Sequence, residues 1–282
     1  MLVVDGAVFG GDLLKVPVPD VIELKPRWMA SMEAARFEAE IRNCPILVVY
    51  SDAGHAGFDT VWRNVYSRAE FLRTSEQCVL LIALSGDRAA PEKRTVDGVE
   101  IEWDPVFQVP RKDRLRLNQS IEGVYVTQSY MNPLHLVLDT IGTELSRFDG
   151  HELTGQTFVD EIRAQQKRLG GEAVFLTQYR DFMVRIRTIV EAREKQGHAH
   201  CFAELDKLCK KELSPHPSFQ GYIERLKGAL TAEGERWIEE ADKMHRRGQD
   251  DEARKLLLKV IRSFRGRDLE IKARKALEAM KS

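Results

Sequence analysis

Features that assign a chain to a membrane or to a secretory route are missing from this sequence. No uninterrupted apolar run approaches the roughly 18 residues of a membrane helix, and residues 1–27 lack the basic start and apolar block of a signal peptide. We therefore expect a soluble protein without a membrane partner. The sequence as given predicts a cytoplasmic protein, and a leader missing upstream would make it periplasmic or secreted.

Cysteine is scarce, and no two cysteines stand at redox spacing. Cys44, Cys78, Cys201 and Cys209 include no CxxC pair and are too few for a small disulfide-rich secreted domain. We interpret all four as free thiols.

An excess of basic charge is also absent. The chain has 43 Lys+Arg against 44 Asp+Glu, a formal net charge of -1, so nucleic acid is not a predicted partner. No sequence motif indicates a cofactor or a metal, and none is expected. With 282 residues, 43% of them hydrophobic, the chain is long enough for roughly two domains that each bury a core.

The first half of the chain has the pattern of an α/β domain. After an irregular lead-in over residues 1–27, helical spacing predicts amphipathic helices over 28–42 and 58–75. The runs ILVVY (46–50) and CVLLIAL (78–84) are continuously apolar, as in strands covered on both faces. Strand, helix and strand in this order predict a right-handed βαβ unit with a parallel sheet.

The α/β pattern is interrupted at residues 86–120 and continues after them. Residues 86–120 are charged and proline-containing, and we interpret them as a surface insertion with a small hairpin at Asp97-Gly98. LHLVLD (134–139) and TELSRFDG (143–150) predict two antiparallel strands, and a helix is expected from about Thr157 to Leu169. Beyond Glu172 only helical patterns remain, and the helix breaks are expected at Gly197, at residues 214–217 and at Gly234.

The run ILVVYSDAGHAGFDTVW (46–62) and the run SYMNPLHLVLDTIGTELSRFDG (129–150) together resemble the thioredoxin family. In that family an apolar strand leads into a CxxC loop and a long helix, and a cis-proline turn precedes a hairpin in the second half. The resemblance covers residues 28–170 and implies a thioredoxin-like central sheet flanked by helices. It leaves the insertion unexplained.

The redox residues of that family are replaced here. Aligned without a gap, Gly54 and Gly57 stand at the two cysteines, with His55 and Ala56 between them, and Val48 stands at the buried acid of the first strand. A disulfide exchange enzyme needs an activated thiolate and a resolving thiol. The resemblance therefore implies a site that has lost its redox activity. Pro133, preceded by Asn132, is the expected cis-proline, and in this family that proline shapes a groove for extended peptide.

Two enzyme hypotheses remain beside this one. One of the cysteines, Cys44 or Cys78, could supply the missing thiol, although their positions before two strands place them at the opposite end of the sheet from the loop. Alternatively, Ser51, Asp52 and His55 could form a hydrolase-like or metal site. A solvated loop with buried, inert cysteines is the simpler interpretation.

The helical half contains a second resemblance. ADKMHRRGQDDEARKLLLKVIRSF (241–264) resembles a tetratricopeptide repeat, with small residues at Ala241 and Ala253 that allow two helices to pack closely. One unit is clear, so an ordinary helical bundle over 171–282 remains an alternative. His198, His200, Cys201 and Cys209 supply four possible zinc ligands, but their spacing fits no common finger.

These observations predict an α/β thioredoxin-like domain at 28–170 followed by an all-α region at 171–282 with tetratricopeptide-like pairs. The expected function is a redox-inactive module that binds or scaffolds a protein or peptide. The former redox positions, Gly54, His55, Ala56 and Gly57, and the groove residues Asn132 and Pro133 are the candidate site. The alternative is an enzyme that uses an unexpected cysteine or acts through Asp52 and His55.

Overall fold

The computed structural model describes residues 26–96, 98–127, 129–150, 153–210 and 216–280. The expected lead-in therefore lies almost wholly outside the described residues, as do Asp97 of the predicted turn and residues 211–215 at one predicted helix break. The chain divides into two compact units, one ending at Tyr179 and one beginning at Arg180. In the described part of the chain, no helix is both long and apolar enough to cross a membrane.

The N-terminal unit alternates strands and helices. Its elements are β1 (Trp28–Met29), α1 (Met32–Arg42), β2 (Ile46–Ser51), α2 (Ala56–Val61), a π-helical segment (Trp62–Tyr66), α3 (Ala69–Ser75), β3 (Val79–Leu84), β4 (Glu92–Val96), β5 (Val99–Asp104), β6 (Val109–Pro110), α4 (Arg111–Tyr125), β7 (Leu134–Leu138), β8 (Glu144–Asp149) and α5 (Gly155–Leu169).

Five of these strands form one mixed sheet in the order β1-β3-β2-β7-β8. β1, β3 and β2 run parallel, whereas β7 pairs antiparallel with β2 and with β8. Every residue of β2 and β3 is buried, because alternate side chains enter the two hydrophobic cores on either face of the sheet. The predicted α/β class, the parallel βαβ unit and the later hairpin are confirmed.

Two predicted helices differ from the structure. Residues 28–42 do not form one helix, because Trp28 and Met29 pair as a parallel edge strand with Leu80 and Leu81 and the helix starts only after Ser31, whose side chain caps it. The helix predicted over 58–75 is interrupted by the π-helical segment. Tyr66, the last residue of that segment, is buried in the core.

The segment 86–120 is more ordered than an insertion with one hairpin. It contains the small sheet β4-β5-β6 and most of α4, a helix that the sequence analysis did not predict. Arg114 of α4 is fully buried and donates to the carbonyls of Leu84 and Gly86, at 2.8 and 2.6 Å. It also pairs with the carboxylate of Asp104 at 2.9 Å. The helix therefore packs on the main sheet through polar side chains as well as apolar ones.

The C-terminal unit is helical throughout its described part, as predicted. Its first helix, α6 (Leu176–Glu191), begins four residues before the boundary at Arg180. The helices that follow are α7 (Arg193–Gln196), α8 (His198–Lys210), α9 (Pro217–Arg246), α10 (Asp250–Ser263) and α11 (Asp268–Ala279). The predicted break at Gly197 is confirmed, since its φ of 82° ends α7.

Gly234 was expected to break a helix, and this prediction is wrong. α9 runs through it, and a Cβ there would lie 2.6 Å from Phe264 Cζ and 2.7 Å from Leu269 Cδ1. The glycine is therefore needed for close packing between helices. The pair of helices expected over residues 241–264 is present, with a turn at Gly248 between them and with Ala241 and Ala253 buried.

Candidate functional site

The four candidate positions, residues 54–57, lie where the end of β2 leads into the start of α2. Gly54, His55 and Ala56 are exposed, and Gly57 is buried in the first turn of the helix. His55 is the N-cap, and its Nδ1 accepts a hydrogen bond from the amide of Gly57 at 3.1 Å. The imidazole is therefore used to satisfy a free amide at the helix start.

Gly57 is pressed against the segment that precedes Pro133. A Cβ built on Gly57 would lie 2.3 Å from the backbone oxygen of Asn132, far inside van der Waals contact, and that oxygen belongs to the backbone and cannot rotate away. The same construction on Gly54 meets no atom within 4 Å. The geometry thus leaves no room for any side chain at residue 57, whereas residue 54 has free space for one.

The peptide bond between Asn132 and Pro133 is cis, as predicted. Pro133 is buried and Asn132 is half-buried. The hydroxyl of Ser51, at the end of β2, donates to the Asn132 amide oxygen Oδ1, and the amide of Gly150 donates to the carbonyl of Pro133 at 3.1 Å. Side-chain and backbone hydrogen bonds therefore hold this segment beside the loop between β2 and α2.

An open pocket of about 600 Å³ lies where the loop and the proline segment meet. The residues that line it are Asp52, His55, Val126, Thr127, Ser129, Tyr130 and Asn132. The structure thus brings His55 and Asn132, two of the predicted site residues, to one cavity. It adds hydroxyl groups and an aromatic ring from the segment after α4, which the sequence analysis did not single out.

A pair of tyrosines forms one side of this region. The rings of Tyr50 and Tyr130 are 5.5 Å apart in an edge-to-face arrangement. Burial raises the pKa of both phenols, and the negative charges of Asp52 and Glu122 raise it further. The two side chains also hydrogen-bond to each other, so the pair presents neutral phenols to the pocket.

The polar residues of the loop do not assemble a hydrolase-like triad. The Ser51 hydroxyl bonds Asn132, the Asp52 carboxylate accepts from the Ser85 hydroxyl, and the His55 Nδ1 caps α2. A nucleophile, a base and an orienting acid would have to hydrogen-bond to one another in sequence. Each of these side chains instead has a different partner.

None of the cysteines has the surroundings of a reactive thiol. Cys44 and Cys78 are buried at the start of β2 and β3, at the opposite end of these strands from the loop, as predicted. Burial raises the pKa of Cys44 and Cys201 to about 11 and raises that of Cys78 and Cys209 above its usual value. Reactive cysteines have a lowered pKa instead.

The histidines and cysteines of α8 face different partners. His198 Nε2 lies 3.0 Å from a carboxylate oxygen of Glu233, and the Cys201 thiol donates to the carbonyl of Ile189. Within the described residues, no group of three or more His, Cys, Asp or Glu side chains is placed to hold a metal ion.

Comparison with known proteins assigns the chain to no family. The chain matches no protein-family model, and no curated protein is significantly similar to it in sequence.

Proposed function

We propose that this chain is a thioredoxin-like protein without redox activity, which binds an extended peptide segment of another protein in the pocket beside Pro133. The observation that carries the proposal is the position of that pocket. It is lined by His55 of the former redox loop and by Asn132 of the proline segment, the two parts that shape the peptide groove in the family that the sequence resembles.

The strand arrangement supports the thioredoxin-like part of the proposal. The central strand β2 has a parallel neighbour, β3, on one side and an antiparallel hairpin, β7-β8, on the other. The cis-proline stands directly before β7 and meets the loop that follows β2. This is the layout that the resemblance implies.

The absence of redox chemistry is supported by sterics as well as by composition. Gly57 has no room for a Cβ, so a cysteine at this position would displace the backbone of Asn132. The four thiols present are kept protonated by burial, and thiol exchange needs the thiolate. These features support a role in peptide binding rather than in thiol exchange.

The C-terminal unit is proposed to provide tetratricopeptide-like helix pairs. The support comes from α9 and α10, which approach closely through buried Ala241 and Ala253, and from α11, which follows as the start of a further pair. Such helix pairs bind peptides or partner helices, so this unit would add a second contact to the partner protein.

The test measures redox activity and peptide binding in the full chain. Insulin reduction with a thiol donor is expected to stay at the background rate. A panel of fluorophore-labelled, unstructured decapeptides is then titrated by fluorescence anisotropy, and some members are expected to bind the wild-type chain. Thr127→Trp fills the pocket and should abolish this binding.

The matched control places the same bulky residue on an exposed threonine elsewhere. Thr188, on α6 in the C-terminal unit, is exposed, and Thr188→Trp should bind the panel as the wild type does. Insulin turnover above background would contradict the redox-inactive assignment. Undiminished binding by a folded Thr127→Trp variant would contradict the pocket.

A further inference from the structure

The lining of the pocket includes one carboxylate and no arginine or lysine. Asp52 is the acidic residue among those that line it, and the segment VTQSYMN, residues 126–132, has no charged residue. Glu122 of α4 is near enough for its charge to raise the pKa of both Tyr50 and Tyr130. The carboxylates of Asp52 and Glu122 therefore both place negative charge near the pair Tyr50 and Tyr130.

No cation of the described residues neutralises Asp52. Its Oδ1 accepts a hydrogen bond from the neutral hydroxyl of Ser85, and it forms no ion pair within the described part of the chain. Arg88 is the arginine that reaches this loop, where it donates to the carbonyl of Ala53, but its guanidinium is paired with Asp59. The Asp52 carboxylate is thus exposed at the pocket wall and has no cationic partner among the described residues.

His55 does not offset this charge in the geometry observed. Its Nδ1 accepts a hydrogen bond from the Gly57 amide, so Nδ1 carries no proton and the ring is in a neutral form. Protonation of Nδ1 would remove the acceptor that caps α2. The pocket therefore keeps its negative character for as long as the cap is formed.

We infer that the pocket selects a basic side chain, arginine or lysine, of the bound peptide. A cation entering here would meet the Asp52 carboxylate, hydroxyl oxygens of Thr127 and Ser129 as acceptors, and the ring of Tyr130. Aromatic faces and carboxylates both attract such cations. Charge complementarity is the argument for this occupant. The inference rests on the proposed peptide-binding function and names the class of segment that is bound.

Four peptides that differ at one central position test the selectivity. The extended sequence Gly-Ser-Ala-X-Ala-Ser-Gly carries arginine, lysine, norleucine or glutamate at X, with the same neutral linker and fluorophore on each. The arginine and lysine peptides are expected to bind the full chain about tenfold more tightly than the norleucine peptide, as a charge-assisted contact in a partly open pocket should give. Glutamate should bind most weakly.

Two substitutions connect this preference with named carboxylates. Asp52→Asn keeps the acceptor for Ser85 but removes the charge, and it should reduce the preference for arginine over norleucine from about tenfold to about twofold. The more distant Glu122→Gln should reduce the preference less. The matched control is Asp160→Asn on α5, where an exposed carboxylate also accepts one side-chain hydrogen bond, from Gln156, and the preference should be unchanged.

The outcomes separate this inference from the function on which it rests. Equal affinity for all four peptides would overturn the inference and leave the peptide pocket standing, whereas failure of every peptide to bind would overturn both. An arginine preference that stays undiminished in Asp52→Asn would also overturn it. Raising the salt concentration should weaken the arginine peptide more than the norleucine peptide, because exposed charges are screened.

Other occupants would give different results. N-acetylarginine N-methylamide alone should compete only at much higher concentrations than the arginine peptide, and equal potency would overturn the extended-peptide occupant. If a second copy of this chain supplied the basic side chain, sedimentation would show a dimer that Asp52→Asn dissociates. That result would overturn the inference as well.

Discussion

The close approach of Gly57 to Asn132 yields a prediction that can be worked out from the structure. In Gly57→Ala the new Cβ would lie 2.3 Å from the Asn132 carbonyl oxygen. The backbone at residue 57 or the backbone at Asn132 must therefore move by most of an ångström to relieve the overlap. Asn132 is held by Ser51 and the next residue is buried. Overpacking of this kind costs about 1–3 kcal/mol, and the higher value is expected because backbone must shift.

Helix propensity offsets part of this cost. Alanine is favoured over glycine within a helix by about 0.5–1 kcal/mol, so the net loss in the free energy of unfolding should be about 2 kcal/mol. At about 2–4 °C per kcal/mol for a protein of this size class, the melting temperature should fall by about 4–8 °C. Gly57→Cys introduces the same Cβ and should lose as much stability.

Gly54→Ala is the matched control, because its Cβ meets nothing within 4 Å. Restricting the unfolded chain should leave this variant unchanged or raise its stability by up to about 1 kcal/mol. Thermal unfolding followed by circular dichroism measures both variants beside the wild type. The steric reasoning is refuted if Gly57→Ala melts at the temperature of Gly54→Ala.

Three further predictions concern packing, protonation and thiols. Gly234→Ala should destabilise the C-terminal unit by about 1–3 kcal/mol in chemical denaturation because its Cβ overlaps two side chains. Gly228→Ala on the same helix has free space and should stabilise it by up to about 1 kcal/mol, and equal effects would contradict the packing argument. Burial lowers the pKa of His135 to about 3, so the unfolded state binds the proton first. Its contribution to stability is therefore present above the ordinary histidine pKa and is lost as the pH falls below it, by about 1 kcal/mol between pH 6 and pH 5. His135→Gln keeps an acceptor for the Tyr66 hydroxyl and should flatten that pH dependence, whereas an unchanged slope would show that His135 is not its source. Finally, all four thiols should react with iodoacetamide at pH 7 more slowly in the native than in the unfolded chain, and one fast-reacting native thiol would reopen the redox hypothesis.

The helix α4 was not predicted from the sequence because its buried face is partly polar. Leu117 and Ile121 are its buried apolar residues, but Arg114 and Asn118 are buried on the same face. A hydrophobic pattern cannot reveal a helix that packs through a guanidinium and an amide, because these residues are counted as exposed until their partners are known. Those partners, the carbonyls of residues 83, 84 and 86, lie at the end of β3, about 30 positions earlier in the chain.

The candidate site was half predictable for a similar reason. His55 and Asn132 follow from the resemblance, since they stand in and beside motifs that the sequence displays. Tyr130 and Thr127 belong to an ordinary-looking segment after α4, and a tyrosine three residues before the proline is the one signal that could have suggested them. Thr127 and Tyr130 line the pocket because of the path that this segment takes past the end of β2.

Local sequence alone determined the buried strands, because runs such as ILVVY and VLLIAL are too apolar to lie anywhere but inside a sheet. It also determined that no thiol stands at Gly54 or Gly57, since no fold can supply a sulfur atom that a glycine lacks. Only the tertiary structure decided what these two glycines do. One is free to carry a side chain, and the other is fixed as glycine by a carbonyl 75 positions away. The distance between two backbones is set by the packing of the whole sheet, and no local pattern encodes it.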